Sequence, residues 1–248
     1  MAAVGTWSFS RPAVERMRCM LLAGQNATDV VETAIAVEDD VETGRHIVGR
    51  GGYPNCKGVV ECDAAIMEGV PGRFGAVAAL RGIAQPCRVA RKVMEKSPHS
   101  LLVGDGAEAF AHELGFKSEP NANMLSDYSA TAYREFLEKN KPVRSGHDTI
   151  GLIALDTGGN ITVGVSTSGA PFKSPGRVGD SPLPGCGLYA DHTVGAAAGF
   201  FFFFFFTLHL SLFLNKCIVS LLSKYYIVLL NLQYIDHFPT LHLKNRPK

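Results

Sequence analysis

The sequence predicts an α+β fold, and three observations carry the prediction. Segments with helical spacing dominate the part before residue 140, a β-hairpin with its turn in place follows at 149–167, and 248 residues with 46% apolar content suffice for a real core. Helices first and a hairpin second imply α and β layers packed together. The pattern alone leaves both a sandwich of sheets and a parallel α/β fold open.

The elements follow in order. Trp7 to Phe9 is expected to open a first strand. Ala13 to Ala23 sets Val14, Met17, Met20 and Leu21 at helical spacing. Asn26 or Thr28 can cap a second helix, Asp29 to Glu38, with Val30, Val31, Ala34, Ile35 and Val37 on its inner side. Gly49 to Gly52 and Tyr53-Pro54-Asn55 form a turn, and Gly58 to Met67 reads as a strand in an interior of small residues. Arg88 to Lys96 and Ala107 to Leu114 read as amphipathic helices flanking a short apolar strand, Ser100 to Val103. Asp127 to Lys139 is a more polar helix, and Asn140 to His147, with Pro142 and Gly146, is a linker. From Thr149 the signal changes. Thr149 to Asp156 and Asn160 to Thr167 are β-rich, and Thr157-Gly158-Gly159 joins them as a hairpin turn.

Charge divides the chain in two. Residues 1–200 carry a net charge of −3 and all 26 glycines, whereas residues 201–248 carry +4 and contain no Gly, Ala or Glu. An acidic-leaning globular part without a Lys/Arg-rich run gives no footprint for nucleic acid. The first ten residues have neither a basic stretch nor an apolar core of the secretory kind, so no signal peptide is expected. Six cysteines are too sparse for a disulfide scaffold; Cys56 and Cys62 could pair across a hairpin, and free thiols are the plainer reading. Asn26-Ala27-Thr28 and Asn160-Ile161-Thr162 are glycosylation acceptor tripeptides of a kind that also arises by chance.

The chemistry concentrates in Gly146-His147-Asp148-Thr149-Ile150-Gly151 and, after the hairpin, Gly176-Arg177-Val178-Gly179-Asp180-Ser181-Pro182. Taken singly these residues are unremarkable. A Thr can head any strand, Trp7 can be a core aromatic, and Arg177 with Asp180 can form a surface ion pair worth under about 1 kcal/mol. Taken together they resemble the glycosylasparaginases (aspartylglucosaminidases) of the N-terminal-nucleophile hydrolase superfamily. The hallmark His-Asp-Thr-Ile-Gly at 147–151 is followed by Ser166-Thr167-Ser168-Gly169, the Gly176 to Pro182 segment and Tyr189-Ala190-Asp191. Thr6-Trp7, Gly51-Gly52-Tyr53-Pro54, Asp63 to Gly69, Gly75-Ala76-Val77, Val89 to Val93 and Leu101 to Gly104 extend the match over residues 5–199.

That resemblance implies a four-layer αββα sandwich, incomplete at its C-terminal end. It implies a precursor that cuts its own Asp148–Thr149 bond, so that residues 1–148 form an α-chain part and 149–199 the start of a β chain. Thr149 would then be the nucleophile, with Thr167 hydrogen-bonded near it as the second catalytic hydroxyl. Arg177 would grip a substrate α-carboxylate through a two-pronged contact that Lys cannot reproduce, Asp180 would hold the α-ammonium, and Trp7 would line the substrate side. The implied substrate is a glycoasparagine, with L-asparagine or isoaspartyl peptides as the alternative. No metal or cofactor is implied. The implied assembly is a homodimer of precursors or of cleaved pairs, and the implied location is lysosomal.

The match stops at residue 199. The family continues with a Thr-Gly-x-Gly segment that supplies oxyanion donors, where this chain has Phe200 and Phe201 at the head of seven consecutive phenylalanines. Residues 200–248 therefore read as an aberrant hydrophobic tail, with impaired or absent catalysis expected; a non-catalytic, truncated or membrane-tethered protein is the contrasting reading. No Asp, Glu, Lys or Arg occurs from His192 to Asn215, so residues 195–214 are long enough to span about 30 Å of hydrocarbon as a helix. A membrane partner is expected only if that span is real.

Overall fold

The computed structural model describes residues 1–38, 48–139 and 149–199, together with the backbone of 226–229. Strand β1 (Ala2–Gly5) ends before Trp7 instead of opening there. Trp7 takes φ 62°, which interrupts extended backbone, and Ser8–Ser10 is a short 3-10 turn. Helix α1 (Arg11–Leu22) starts with Pro12, where a missing N–H costs no helical bond, and buries Val14, Met17, Met20 and Leu21. Helix α2 (Ala27–Glu38) is capped by Asn26, whose Oδ1 accepts the Asp29 N–H at 2.9 Å.

Strands β2 (Glu61–Glu68) and β3 (Phe74–Arg81) pair antiparallel, and β3 is an element the helical and strand patterns did not announce. Its sequence, Phe-Gly-Ala-Val-Ala-Ala-Leu-Arg, is weak in β-branched residues. Burial explains it: the carbonyl of Ala90 on helix α3 (Pro86–Lys96) lies 2.3 Å from where a Cβ on Gly75 would sit. Only a near-bare backbone can run beneath that helix. Strand β4 (Leu101–Val103), helix α4 (Gly104–Glu113) and helix α5 (Asp127–Lys139) lead to the hairpin of β5 (Thr149–Leu155) and β6 (Ile161–Thr167). A second hairpin, β7 (Leu188–Asp191) and β8 (Gly195–Ala198), follows, and β9 (Tyr226–Leu229) comes from the tail.

The main sheet runs β4-β3-β2-β6-β5-β1-β9, antiparallel throughout except for the parallel β3/β4 pair. Period-two alternation gives it two faces. Ala64, Ile66, Ile150, Leu152 and Ala154 join the apolar sides of α1, α2, α3 and α4 in the larger core. Ala65, Ile153, Ile161, Val163 and Val165 face the other way and pack against Leu188, Ala190, Ala196 and Ala198 of the β7/β8 sheet. The described residues thus build a helical layer, the large sheet and a two-stranded second sheet, a mixed α+β arrangement.

Gly195–Ala198 is strand, paired residue for residue with Asp191–Leu188, so a membrane helix cannot begin at Gly195. The rest of the 195–214 stretch lies outside the described residues. Among the described residues, no helix is long and apolar enough to cross a membrane. Cys56 and Cys62 are free thiols, and Cys62 donates from Sγ to the Gly49 carbonyl at 3.5 Å. The amides of Asn26 and Asn160 are engaged with Asp29 and Asp156, respectively.

Candidate active site

Thr149 is the first residue of β5 and stands opposite Thr167, the last of β6. By alternation along their strands, both belong with Gly151, Ile153, Val163 and Val165 on the face turned toward the β7/β8 sheet. The site therefore opens between the two sheets, at one end of the hairpin. Thr149 Oγ1 donates to Thr167 Oγ1 at 3.1 Å, and Thr167 Oγ1 also accepts the Gly169 N–H at 2.9 Å. Thr167 is 2% exposed while Thr149 is half-buried, so the pair has a fixed inner member and a reachable outer one.

A second threonine sets where β5 begins. Thr6 donates its backbone N–H to the Gly151 carbonyl at 2.9 Å, and its Oγ1 accepts the Gly151 N–H at 2.8 Å. The same hydroxyl approaches the Thr149 carbonyl at 3.5 Å. This two-point clasp ties the end of β1 to Gly151, two residues past Thr149. Trp7 follows directly, half-buried, with its carbonyl accepting from the Ser10 hydroxyl at 2.9 Å. Its left-handed φ is a strained conformation for a bulky residue, held by structure on both sides.

Arg177 and Asp180 are exposed on the loop between β6 and β7. The plain alternative, an ion pair between them, is not formed: among the described residues neither side chain enters a salt bridge. Arg177 extends back toward the hairpin. Its guanidinium lies 3.2 Å from the Cβ positions of both Gly169 and Gly179, so it sits beside a residue two past Thr167. Asp180 borders a cavity of about 160 Å³ that Cys186, Gly187, Tyr189 and Gly199 also line. Asp148 and His147, expected at the processing bond, lie outside the described residues.

The turn at residues 49–55 closes the site from another side. A Cβ on Gly52 would fall 2.4 Å from Ser168 Oγ, and the Tyr53 N–H donates to that hydroxyl at 3.2 Å. Tyr53 is 2% exposed and packs edge-on against Phe172 with ring centroids 5.8 Å apart. Phe172 in turn stacks on Phe136 of α5 at 4.4 Å. Three supporting roles lay outside the sequence reading, although Thr6 and Asp63 fall within matched segments: Thr6 as a clasp, and Glu61 and Asp63 as buried acids behind the Arg177 loop. Two acids at i and i+2 at the head of a strand that continues Ala-Ala-Ile-Met were the available signal.

Comparison with known proteins now bears on this geometry. A family model described as Asparaginase matches residues 3–199, which contain all of the hydroxyl pair, the clasp and the Arg177–Asp180 loop. The chain belongs to this asparaginase family. An Elizabethkingia miricola protein named N(4)-(beta-N-acetylglucosaminyl)-L-asparaginase is 43% identical over 198 residues, covering 78% of this chain and 57% of the relative. A Rattus norvegicus protein of the same name is 40% identical over 226 residues, covering 79% and 65%. A Danio rerio protein named isoaspartyl peptidase/L-asparaginase is 41% identical over 184 residues, covering 72% and 58%. The chain spans about three fifths of the length of these asparaginase-family relatives.

Proposed function

We propose that this chain is an amidohydrolase with Thr149 as nucleophile, acting on the side-chain amide of N4-(β-N-acetylglucosaminyl)-L-asparagine. The observation that carries the reading is the hydroxyl pair at the head of the hairpin, Thr149 Oγ1 3.1 Å from Thr167 Oγ1, inside the family match. A hydroxyl needs a base beside it. Cleavage of the Asp148–Thr149 bond supplies one: Thr149 Oγ attacks the Asp148 carbonyl, the acyl group passes from nitrogen to oxygen, and water hydrolyses the ester. The products are the Asp148 carboxylate and a Thr149 with a free α-amine. An α-amino group has an unperturbed pKa of about 7.7 to 8.0, so a useful neutral fraction exists near neutrality.

In the hydrolytic cycle the amine takes the Thr149 hydroxyl proton as the oxygen attacks the substrate's side-chain carbonyl carbon. The C–N bond breaks, the proton passes to the departing N-acetylglucosaminylamine, and water then releases L-aspartate from the acyl-enzyme. Thr167 orients the nucleophile as hydrogen-bond partner. Arg177 takes the α-carboxylate and Asp180 the α-ammonium, which suits two opposite charges exposed on one loop. Trp7, next to the clasp, lines the substrate side. We further propose that turnover is slow, because Phe200 and Phe201 stand where the resembled family has its oxyanion donors, and loss of one such donor costs about 2.7 to 4 kcal/mol. The fourth, helical layer of the sandwich belongs to the same proposal and would cover the outer side of β7/β8.

A denaturing gel tests the processing step. Fragments 1–148 and 149–248 are expected from the wild type and a single band from Thr149→Ala; an uncut wild type refutes an active nucleophile. The alternative substrate is separated by a direct assay. Release of N-acetylglucosaminylamine with isoaspartyl dipeptides left intact supports the proposal, and the reverse result assigns the chain to the isoaspartyl peptidase activity named for the Danio rerio relative.

A further inference from the structure

Two carboxylates stand buried behind the loop that carries Arg177, and neither has a part in the chemistry above. Glu61, the first residue of β2, is 6% exposed, and Asp63, two residues on, is fully buried. Ionised side chains in such positions are costly unless hydrogen-bonded. Their partners are backbone amides of one loop. Glu61 accepts the Gly176 N–H at 3.0 Å from one carboxylate oxygen and 3.2 Å from the other. Asp63 Oδ2 accepts the Gly179 N–H at 3.3 Å. Gly176 and Gly179 sit on either side of Arg177.

The strand is shaped for this. Between Cys62 and Ala64 the register with β3 shifts, so that Ala78 and Ala79 together oppose Asp63. Ala79 adopts φ 47°, a left-handed conformation for which a residue with a Cβ needs compensation, and its N–H donates to Asp63 Oδ1 at 2.8 Å. The bulge thereby holds one oxygen of Asp63 while the other reaches the loop. On the opposite strand edge Asp63 stands in register with Thr167, so the acid is tied to the hydroxyl pair by the sheet itself. Lys173, 6% exposed, completes the attachment by donating from Nζ to the Glu61 carbonyl at 3.0 Å, and its own carbonyl accepts the Cys56 N–H at 2.9 Å.

We infer that Glu61 and Asp63 are positioning residues for the amino-acid clamp: by clipping the loop at Gly176 and Gly179 they fix the Arg177 guanidinium relative to Thr149 and so set the affinity for a substrate α-carboxylate. The inference rests on the proposed clamp role of Arg177 and extends it to two residues that never touch substrate. Amide-to-carboxylate bonds are charge-assisted, and these join the loop to β2 on either side of Arg177, whose own N–H is held only within the loop by the Ser174 carbonyl at 3.0 Å, so the clip sets where the loop sits on the sheet.

The test uses the full chain and two readouts, hydrogen–deuterium exchange of peptides covering residues 173–180 and titration with L-aspartate, the product that retains both clamp groups. Glu61→Ala and Asp63→Ala are expected to speed exchange in that loop and to weaken L-aspartate binding about tenfold, the effect of losing one charge-assisted hydrogen bond. Glu61→Gln keeps an acceptor oxygen for the single Gly176 amide and is expected to recover most of both, whereas Asp63→Asn can satisfy only one of the Ala79 and Gly179 amides and is expected to recover part; both variants also cover the case in which an alanine variant fails to fold. With turnover measured, the loss appears in KM, and kcat and the fragment pattern change little. Unchanged exchange in all four variants overturns the clip. Faster exchange with unaltered L-aspartate affinity overturns the positioning role. A wild type that does not bind L-aspartate, with exchange responding as expected, overturns the clamp reading of Arg177 and leaves the attachment of the loop standing.

Discussion

Thr6→Val isolates the clasp that sets the start of β5. The substitution keeps the side-chain volume and β-branching, so no cavity opens, and it removes only the hydroxyl. That hydroxyl accepts the Gly151 N–H at 2.8 Å in a place where Thr6 is 6% exposed and Gly151 is buried. An amide left unpaired in such surroundings costs about 1 to 3 kcal/mol. For a chain of this size each kcal/mol lowers the melting temperature by about 2 to 4 °C, so a fall of about 2 to 12 °C is expected in a thermal melt followed by circular dichroism. Thr6→Ser separates the causes, since it keeps the oxygen and loses a methyl group worth about 0.8 kcal/mol. The clasp also constrains function. Losing the hydroxyl leaves the Thr6 N–H to Gly151 carbonyl bond as the hold of β1 on this end of β5, and so loosens the strand end that sets Thr149 opposite Thr167. Less fragment on the denaturing gel is therefore expected from Thr6→Val than from Thr6→Ser. A valine variant as stable as the wild type, or a serine variant as damaged as the valine one, refutes the reasoning.

Two glycines offer a graded test of close packing. Gly75→Ala drives a methyl against the Ala90 carbonyl at 2.3 Å and the Met94 amide at 2.4 Å, both backbone, whereas Gly164→Ala meets the ends of Val31 and Ile35 side chains at 2.6 and 2.7 Å. Overpacking of the yielding kind costs about 1 to 3 kcal/mol, so Gly164→Ala should fold with a lowered denaturation midpoint and Gly75→Ala should express little folded protein; the reverse order refutes the packing account. Acid sensitivity is expected from Glu95 on α3. Burial pushes its carboxyl up, but hydrogen bonds from Lys92 and Arg91 and their charges outweigh burial and hold it below the ordinary value. A lowered folded-state value gives stability that is present above the unfolded carboxyl's titration and lost as pH falls through the folded one. Urea midpoints of wild type and Glu95→Gln should thus differ at neutral pH and converge in acid, and a gap that persists in acid overturns the assignment.

Helices were legible because their signal is local. The spacing of Val14, Met17 and Leu21, and the cap at Asn26, need no knowledge of the rest of the chain. The hairpin was legible for the same reason, through Thr157-Gly158-Gly159 between β-rich runs. Strand β3 was not, since its small residues are chosen by the helix lying over it and not by strand propensity. Strand β1 was placed late because Trp7 and Phe9 favour strands in isolation, while tertiary contacts bend Trp7 to a positive φ. Within the site, Thr149, Thr167, Arg177 and Asp180 stood out by their joint order along the chain. Asp63 did not, because its purpose depends on a bulge and on a loop more than 110 residues away, as its bond to Gly179 has a separation of 116.

The composition break near residue 200 acquires a physical sense from the way the layers close around Thr149. Three glycines let backbone approach backbone there. Gly151 faces Ala198 across the sheets; a Cβ on Gly187 would strike the Asp180 carbonyl at 2.4 Å; and Gly199, at φ 70°, lies with its Cβ position 3.2 Å from Thr6 Cγ2 while its N–H donates to the Gly187 carbonyl at 2.8 Å. Side chains with chemistry are few, and bare backbone holds them at the distances that matter. Gly199 is the last glycine of the chain, and it stands against the clasp residue that anchors the strand headed by Thr149. A side chain at position 199 therefore presses first on Thr6 and on the Gly151 amide that Thr6 holds, two residues along β5 from Thr149.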